Sequence, residues 1–466
     1  MTAPPQSPRI SSQERRALIS GVVGNSLEYY EFAVYGLAAA LVFKDVFFSN
    51  VNSTTGTLLS LGTFALAFVA RPIGALVFGN FGDKLGRKKM LIITLSLMGG
   101  ATFCIGLLPT YNQIGLWAPA MLVVLRLIQG FSLGGEFGGS VLMAIEHAHP
   151  ARRGFFGALV QSGIGWGTLL ANLVFLGISQ LPNDQFLAWG WRIPFLLSIV
   201  LIGVCMFIRL RLDESPEFTA TEEVEAVAKV PLGELIKKHG WTVIGVALMI
   251  PGTGVLYYVA TVFSLTYATD AGINRTTILN AVLIVNVVLI IGIPAWGLLQ
   301  DKVGRRVIFL ASYIGMGAAA WIWLPLLNTG ATALIILGFI ILFIPHTANN
   351  AALPVTFAHA FPVKVRYSGL AVGYNLGTLI ASALAPLIAA WLYTSTGSWM
   401  SIAIYISAAT LISFVAAIFT RERYGKPIAV PAGQPVNPID GAPAPASEPG
   451  TWRQPPREVL NQSPRL

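Results

Sequence analysis

The sequence has 466 residues, of which 55% are hydrophobic and only 11% are charged, and its formal net charge is +9. Soluble globular domains carry charges on about a quarter of their residues, so this composition excludes that class and indicates a polytopic membrane protein. The basic residues occur in short clusters between apolar segments and not along one soluble face, which argues against nucleic acid as a partner.

About twelve apolar windows of ~20 residues follow one another along the chain, and a helix needs about that length to cross a bilayer. The windows lie near residues 17–42, 56–80, 90–109, 117–146, 154–180, 190–210, 240–268, 277–299, 307–327, 332–358, 367–393 and 398–420. These long continuous runs predict an all-α fold, because the strands of a membrane barrel would alternate over ~10 residues. Glu28 and Glu31 make the first window a poor signal peptide, so we expect it to remain as a span.

Segments of different composition flank and divide these windows. Residues 1–16 and 421–466 are rich in Pro, Gly, Ser and Gln, and are predicted to be disordered cytoplasmic tails. Residues 212–239 form the longest charged interruption, and are predicted to be a cytoplasmic linker with amphipathic helical pieces at the membrane surface. The remaining chain then forms two six-helix bundles, residues 17–211 and 240–420.

Basic residues are concentrated on alternate loops. Clusters precede the first span and follow the second, fourth, eighth and tenth spans, whereas the loops between them carry little beyond Lys44 and Arg275. The clusters contain Arg15, Arg16, Lys84, Arg87, Lys88, Arg152, Arg153, Lys302, Arg305, Lys364 and Arg366. The positive-inside rule places these loops in the cytoplasm. We therefore expect a multi-pass protein of the cell (inner or plasma) membrane with both termini cytoplasmic.

One segment occurs twice in the chain. Residues 79–88 read GNFGDKLGRK and residues 297–306 read GLLQDKVGRR, at an offset of 297 − 79 = 218 that is nearly half the chain. Parallel repeats of six spans are an architecture of secondary transporters, whose substrate site lies at the membrane midplane between the halves. The repeat therefore predicts two pseudo-symmetric six-helix halves with a site between them.

These motifs carry a family resemblance. The repeated G-x-x-x-D-K-x-G-R-[KR] and the RLIQG of residues 126–130 resemble signatures of the major facilitator superfamily. Four segments are similar to its metabolite:proton symporter family, which includes shikimate, α-ketoglutarate, citrate and proline/betaine permeases. They are RLIQGFSLGGEFGG (126–139), RPIG (71–74), WRIPF (191–195) and ESPEF (214–218). The resemblance covers roughly residues 17–420, is strongest to the shikimate type, and implies the major facilitator fold and proton-coupled uptake of a small hydrophilic metabolite.

The first span carries two acids. Glu28, Glu31 and Tyr35 are three or four residues apart and therefore share one face of the helix. An ionisable residue at bilayer depth costs about 2.5 kcal/mol or more and marks a functional site by default. The family's first-span pattern resembles E/D-W-Y-D-F and stands here as EYYEF, which aligns Glu31 with the family's aspartate. We therefore predict that Glu31 carries the coupling proton, with Glu28 as the second candidate.

The fourth span carries a cation for these acids. Arg126, Gln129 and Glu136 lie on one face of the helix, and Arg126 reaches a depth comparable with that of Glu31, so a charge pair between the first and fourth spans is allowed. Burial raises the pKa of a carboxyl group and a nearby guanidinium lowers it, so movement of Arg126 would switch proton binding. The alternative is a permanently ionised structural pair. Glu136 is a second candidate for a proton relay.

Other intramembrane polar groups are candidates for substrate binding. Arg71 of the second span would bind a substrate carboxylate through two hydrogen bonds, with snorkelling towards the cytoplasmic interface as the alternative. The remaining candidates would orient a solute by hydrogen bonds and ring faces, although each could equally join two helices. They are Tyr35, Gln129, Gln161, Trp166, Tyr257, Tyr258, Asn286, His346, Asn349, Asn350, Tyr374 and Asn375.

The repeated loop is a candidate gate. Asp83 can face the N-terminus of a helix, and Arg87 can pair with Glu146 at the cytoplasmic end of the fourth span. Such a cluster would hold the cytoplasmic side closed in the outward-open state and would break for inward opening. Asp301 and Arg305 hold the same positions in the second repeat. The alternative is a basic loop that only sets the topology.

The residues favour a transporter over an enzyme. No nucleophile with a base stands out, and His147 and His149 lie beside a loop without completing a metal-ligand set. We therefore expect no metal and no cofactor other than the coupling proton. The expected partners are a small-molecule substrate and the lipid bilayer, while the oligomeric state stays open and is compatible with a monomer. Arg71 and Arg126 favour an organic acid, such as a shikimate-like acid or a dicarboxylate or keto acid. A zwitterionic osmolyte or uncoupled facilitation is the alternative.

Overall fold

The computed structural model describes residues 10–223, 231–270, 272–382 and 384–420, and every regular element within them is helical. The first six long helices are α1 (Ser12–Leu41), α2 (Ser53–Leu85), α3 (Arg87–Leu107), α4 (Trp117–His147), α5 (Pro150–Ile178) and α6 (Gly190–Leu210). The second six are α7 (Gly233–Phe263), α8 (Arg275–Val303), α9 (Arg305–Asn328), α10 (Thr332–Ala358), α11 (Val363–Thr396) and α12 (Trp399–Phe419). The predicted all-α polytopic fold is confirmed.

Helix α1 differs from the other eleven long helices of the described chain. Those eleven are long and apolar enough to cross a membrane, whereas α1 has the length, 30 residues, but contains two buried acids. Its first turn includes residues 12–16, which were predicted to be disordered. They are helical because Ser11 and Glu14 form a capping box that satisfies the first backbone N–H groups. The rest of the predicted tails, residues 1–9 and 421–466, lies outside the described residues.

A short helix, Pro216–Glu223, follows α6 and is called the linker helix below. It lies within the predicted linker, as does the start of the helix Pro231–Leu248, most of which forms the first part of α7. Residues 224–230 of that linker lie outside the described chain.

The sequence repeat forms two equivalent tight turns. Gly86 separates α2 from α3 with a φ of 100°, and Gly304 separates α8 from α9 with a φ of 106°. Glycine adopts positive φ without a steric penalty, which explains its place in both turns. We call the end of the bundle that carries these two turns the basic end, because Lys84, Arg87 and Lys302 lie there.

Glycines let the helices of the first half approach closely, most clearly between α2 and α4. A Cβ atom on Gly130 would lie 2.6 Å from the Cα atom of Ala67, which real structures do not tolerate. Small residues at helix contacts are how membrane helices pack without a hydrophobic driving force. Part of the glycine-rich run 126–139 therefore serves helix packing.

We expect Gly130→Ala to destabilise the protein by about 1–3 kcal/mol, the usual cost of overpacking. Thermal unfolding of the purified protein measures this effect. Gly100→Ala on α3 is the matched control, because a Cβ atom there meets nothing within 4 Å. Equal melting temperatures for the two variants would contradict the close packing of α2 on α4.

Candidate functional site

A cavity lies between the two halves and is lined by residues of both. Helices α1, α2 and α5 of the first half and α7, α10 and α11 of the second half form its wall. The lining residues are Glu28, Tyr29, Phe32, Arg71, Gln161, Ile164, Ile250, Thr253, Gly254, Tyr257, Tyr258, His346, Asn350, Leu353, Tyr374, Thr378 and Ser382.

Two of the lining helices are irregular beside the cavity. The first part of α5 ends at Gln161 and a second part begins at Gly163. Helix α7 is interrupted before Pro251 and widens into a π-helical turn at Val259–Phe263. Irregular helices at membrane depth occur where they line a cavity, and π turns are frequent at functional sites. The local breaks therefore support a binding role for this cavity.

An ion pair between Glu28 of α1 and Arg71 of α2 lies in the cavity wall. Arg71 Nη2 donates a hydrogen bond to Glu28 Oε1, and the two residues are only 6% and 3% exposed. Arg71 Nε and Glu28 Oε2 are buried and make no hydrogen bond. The snorkelling alternative for Arg71 is therefore wrong, because the guanidinium group lies against Glu28 inside the bundle. The pair also retains polar atoms for further contacts.

Arg126 makes different contacts from those the sequence predicts. Its guanidinium carbon lies 3.8 Å from the ring centre of Tyr35, and Nη1 donates to Gln129 Oε1 at 3.0 Å. Gln129 in turn donates to Thr102 Oγ1 at 2.5 Å. The allowed salt bridge from Arg126 to an acid of α1 is not formed among the described residues. Comparable depth does not determine which helix is the lateral neighbour, and α2 supplies the cation for Glu28.

Glu31 lies one turn beyond Glu28 and outside the cavity wall. It is 2% exposed, lies beside Thr102, and forms no ion pair within the described chain. Glu31, the favoured proton site, is therefore a buried acid without an ion pair among the described residues. Glu28, the second candidate, contacts both the cavity and a cation.

A second buried ion pair joins Glu136 of α4 to Arg209 of α6. Ser140 Oγ and Thr94 Oγ1 also donate to this carboxylate, each at 2.9 Å. Glu136, the predicted relay candidate, does not line the cavity and is fully engaged within the first half. Arg209 was not identified from the sequence, because a cation at the end of an apolar span is usually taken to reach the interface.

Several predicted substrate residues do line the cavity. They are Arg71, Gln161, Tyr257, Tyr258, His346, Asn350 and Tyr374. Gln161 Nε2 donates to Asn350 Oδ1 at 3.1 Å and so joins the two halves across the cavity. The ring of Tyr374 stacks on Phe137 at 4.0 Å, which fixes its orientation.

Other predicted substrate residues lie outside the cavity. Tyr35 donates to Thr63 Oγ1 at 2.7 Å and Asn349 donates to Ser312 Oγ at 2.9 Å, so both join helices. Asn286 accepts a hydrogen bond from Thr168, and Asn375 donates one to the backbone carbonyl of Gly134. Gln129 is hydrogen-bonded to Arg126 and Thr102. Trp166 is half exposed on the outside of the bundle.

Five polar or aromatic lining residues were not predicted from the sequence, namely Tyr29, Phe32, Thr253, Thr378 and Ser382. Three of these are small hydroxyl residues, which are equally common where membrane helices touch. Tyr29 and Phe32 lie within the predicted acid motif, and their proximity to Glu28 was an available signal.

Symmetry-related hydrogen bonds close the basic end. Asp83 at the end of α2 accepts hydrogen bonds from the backbone N–H groups of Tyr367 and Ser368 of α11, at 3.0 and 2.9 Å. Asp301 at the end of α8 accepts one from the N–H of Phe155 of α5, at 3.0 Å. Each aspartate therefore caps a helix of the opposite half, as predicted for Asp83, and uses the positive N-terminal end of that helix.

A charge cluster reinforces these caps, and we call Asp83, Arg87, Glu146, Glu217, Asp301 and Arg366 together the basic-end latch. Glu146 accepts a hydrogen bond from Arg366 Nη1 at 3.1 Å and lies 3.5 Å from Arg87 Nε. The predicted contact between Arg87 and Glu146 is thus present, and Arg366 adds a contact between the halves. Glu217 of the linker helix contacts Arg366 and accepts from Arg153 at 2.8 Å.

Two titratable groups at the basic end each keep one protonation state at neutral pH: Glu217 is ionised and His359 is neutral. Burial alone would raise the pKa of Glu217, but Arg366 and Arg153 outweigh it and hold the pKa below its ordinary value. Burial and the neighbouring guanidinium groups of Arg305, Arg366 and Arg153 hold the pKa of His359 well below its ordinary value. Neutral His359 therefore accepts a hydrogen bond from Arg305 at 3.2 Å. Arg305 is the gate candidate in the second repeat.

Comparisons with known proteins agree with this architecture. Residues 17–238 match the family model described as "Sugar (and other) transporter", and residues 253–460 match the model described as "Major Facilitator Superfamily". The xylose:proton symporter XylE of E. coli shares the fold, with a TM-score of 0.71 at 18% identity over 90% of this chain and 98% of that chain.

Curated relatives are similar over nearly their full length. The inner membrane metabolite transport protein YhjE of Escherichia coli is 38% identical over 88% of this chain and 95% of its own. The shikimate transporter of Escherichia coli is 37% identical over 90% of this chain and 98% of its own. A proline/betaine transporter of Salmonella typhimurium is 32% identical over 91% of this chain and 87% of its own. The chain therefore belongs to the major facilitator superfamily and is a multi-pass membrane transporter of this family, not an enzyme.

Proposed function

We propose that the protein is a secondary active transporter that carries a small organic acid together with a proton into the cell. The observation that supports this most is the Glu28–Arg71 pair in the wall of the cavity between the halves. A guanidinium group binds carboxylates through charge-assisted hydrogen bonds. A buried acid beside it can take up and release a proton. The similarity to a shikimate transporter also supports an organic acid as the substrate.

The proposed orientation decides which side of the membrane the latch closes. The positive-inside rule predicts that the basic end and both termini face the cytoplasm, in a cell (inner or plasma) membrane. The latch would then hold the cytoplasmic side closed, and transport would require it to break as the halves rock around the cavity. All residues of this site lie in one chain, so a monomer would suffice.

One of the buried acids of the first half would carry the coupling proton. Glu28 and Glu31 lie one turn apart on α1, with Arg126 and Glu136 on the adjacent α4. No further cofactor is needed for this chemistry. An uncoupled facilitator with the same fold is the alternative for the energetics.

A zwitterionic osmolyte is the alternative substrate, and one observation favours it. Five aromatic rings line the cavity beside Glu28, namely Tyr29, Phe32, Tyr257, Tyr258 and Tyr374. Aromatic rings with a nearby carboxylate bind quaternary ammonium groups, and a proline/betaine transporter is among the relatives.

Ligand-induced thermal stabilisation of the purified protein decides between these substrates. The panel contains shikimate, 2-oxoglutarate, citrate, glycine betaine, proline and xylose. We expect an organic acid to raise the melting temperature most, because its carboxylate gains Arg71. Stabilisation by betaine or proline alone would select the alternative, and stabilisation by xylose alone would contradict both.

A further inference from the structure

We propose that Glu28 and the substrate carboxylate occupy Arg71 in turn, so that Glu28 leaves as a neutral acid and one proton is bound for each monocarboxylate. This exchange rests on the proposed function and assigns its proton site. It differs from the sequence-based preference for Glu31. It also specifies the substrate as a hydroxylated monocarboxylic acid.

The geometry of the pair suits an exchange. Glu28 contacts Arg71 through one carboxylate oxygen and one guanidinium nitrogen, although a guanidinium group can bind a carboxylate through two parallel hydrogen bonds. Arg71 Nε is buried without a hydrogen-bond partner, and both residues line the cavity. A substrate carboxylate would therefore find an unused donor on Arg71 as well as the one it takes from Glu28.

The other charged groups near Glu28 are already engaged. Arg209 and Glu136 act on Glu28 electrostatically but are paired with each other. Arg126 is held by Gln129 and the ring of Tyr35 and does not line the cavity. The remaining titratable groups near the pair are Glu31 on α1 and the phenols of Tyr29, Tyr258 and Tyr374. The phenol of Tyr257 and the imidazole of His346 line the same cavity from the second half. Among the described residues, Arg71 is thus the cation that lines the cavity.

Charge balance makes the exchange obligatory. In the free protein, ionised Glu28 neutralises Arg71. In the loaded protein, the substrate carboxylate neutralises Arg71, and Glu28 holds a proton taken from the solution on the side from which the substrate enters. A proton without substrate would leave Arg71 unpaired, and substrate without a proton would add an unpaired negative charge, both of which burial strongly disfavours. Both permitted states are neutral, so symport is electroneutral with one proton per monocarboxylate.

The rest of the cavity limits the substrate further. The second half contributes hydroxyl, amide and imidazole groups, namely Thr253, His346, Asn350, Thr378 and Ser382. These groups can bond hydroxyls of a solute, and while His346 stays neutral none of them can neutralise a second carboxylate. A hydroxylated monocarboxylate would therefore place its carboxylate on Arg71 and its hydroxyls against the second half, and so would bridge the two halves.

The test measures protons taken up on binding by the purified full-length protein in weakly buffered solution, with shikimate as the monocarboxylate probe and 2-oxoglutarate as the dicarboxylate probe. We expect about one proton per bound shikimate for the wild type, and tighter binding of shikimate than of 2-oxoglutarate. Glu28→Gln should take up no proton and bind shikimate with an affinity independent of pH. Glu31→Gln should keep the uptake of one proton per shikimate.

The outcomes separate this exchange from the proposed function. Proton uptake kept in Glu28→Gln and lost in Glu31→Gln overturns the exchange but leaves proton symport intact, as does tighter binding of 2-oxoglutarate. A wild type that binds an acid without proton uptake at any pH overturns both. If Glu28→Gln does not fold, Glu28→Asp replaces it. That variant keeps the carboxyl group and should shift the pH midpoint of binding, and an unshifted midpoint overturns the exchange.

Discussion

Arg71→Gln is expected to weaken binding of an organic acid by about 30-fold or more. Removing one partner of a buried, hydrogen-bonded charge pair costs about 2–5 kcal/mol, and each 1.4 kcal/mol is tenfold in affinity. Arg71 lines the cavity with an unused donor, so the substrate carboxylate would lose its cation. Isothermal titration of the purified variant with shikimate measures the loss.

Two further variants separate binding from folding. Arg71→Lys keeps the charge but not the planar fork of donors, and should bind with intermediate affinity. The double variant Arg71→Gln with Glu28→Gln removes both charges, so no unpaired carboxylate remains to destabilise the fold. If the double variant melts like the wild type and still binds shikimate with unchanged affinity, Arg71 is not the carboxylate site.

Glu146→Gln is expected to open the basic end. Glu146 is buried between Arg366 of the second half and Arg87 of the first, so its charge stabilises the closed arrangement of the halves. Breaking a buried pair costs about 3–5 kcal/mol, and even 2 kcal/mol specific to the closed state would shift its population by about 30-fold. Distances between spin labels at the exposed positions Lys89 and Lys302 measure the opening, after replacement of Cys104 and Cys205.

The matched control is Glu234→Gln. Glu234 pairs with Lys238 on the same helix, where Lys238 is largely exposed, so its loss should leave the label distances unchanged. Identical distance distributions for Glu146→Gln and the wild type would show that the latch does not hold the halves together, and would restore the simpler interpretation of a topology-setting loop.

Much of the fold could be predicted from the sequence because membrane spans are long apolar runs. The repeat predicted two equivalent halves, and the repeated segments form equivalent glycine turns at Gly86 and Gly304. The first turn of α1 was missed because the polar composition of residues 12–16 resembles that of a tail, although Ser11 and Glu14 form a recognisable cap.

The candidate site could be predicted only in part. Charged residues stand out in apolar spans, so Glu28, Arg71 and Arg126 were identified from their positions alone. Their pairing could not be predicted, because position along a helix gives depth but not the neighbouring helix. This is why Arg71, and not Arg126, is the partner of Glu28.

Uncharged residues were predicted less well for a related reason. An amide or ring in a membrane helix has the same sequence signal whether it faces the cavity, another helix or lipid. Trp166 and Asn349 illustrate this, since one faces outward and the other bonds Ser312. The two halves must be packed together before His346 and Asn350 can be seen to share a cavity with Gln161.

The most direct test of proton-coupled uptake uses the wild-type protein in proteoliposomes with radiolabelled shikimate outside. With an alkaline interior and an acidic exterior, we predict transient accumulation above the external concentration, which collapses when a protonophore dissipates the pH gradient. Shikimate that enters at the same rate and to the same level with and without the gradient would contradict proton symport.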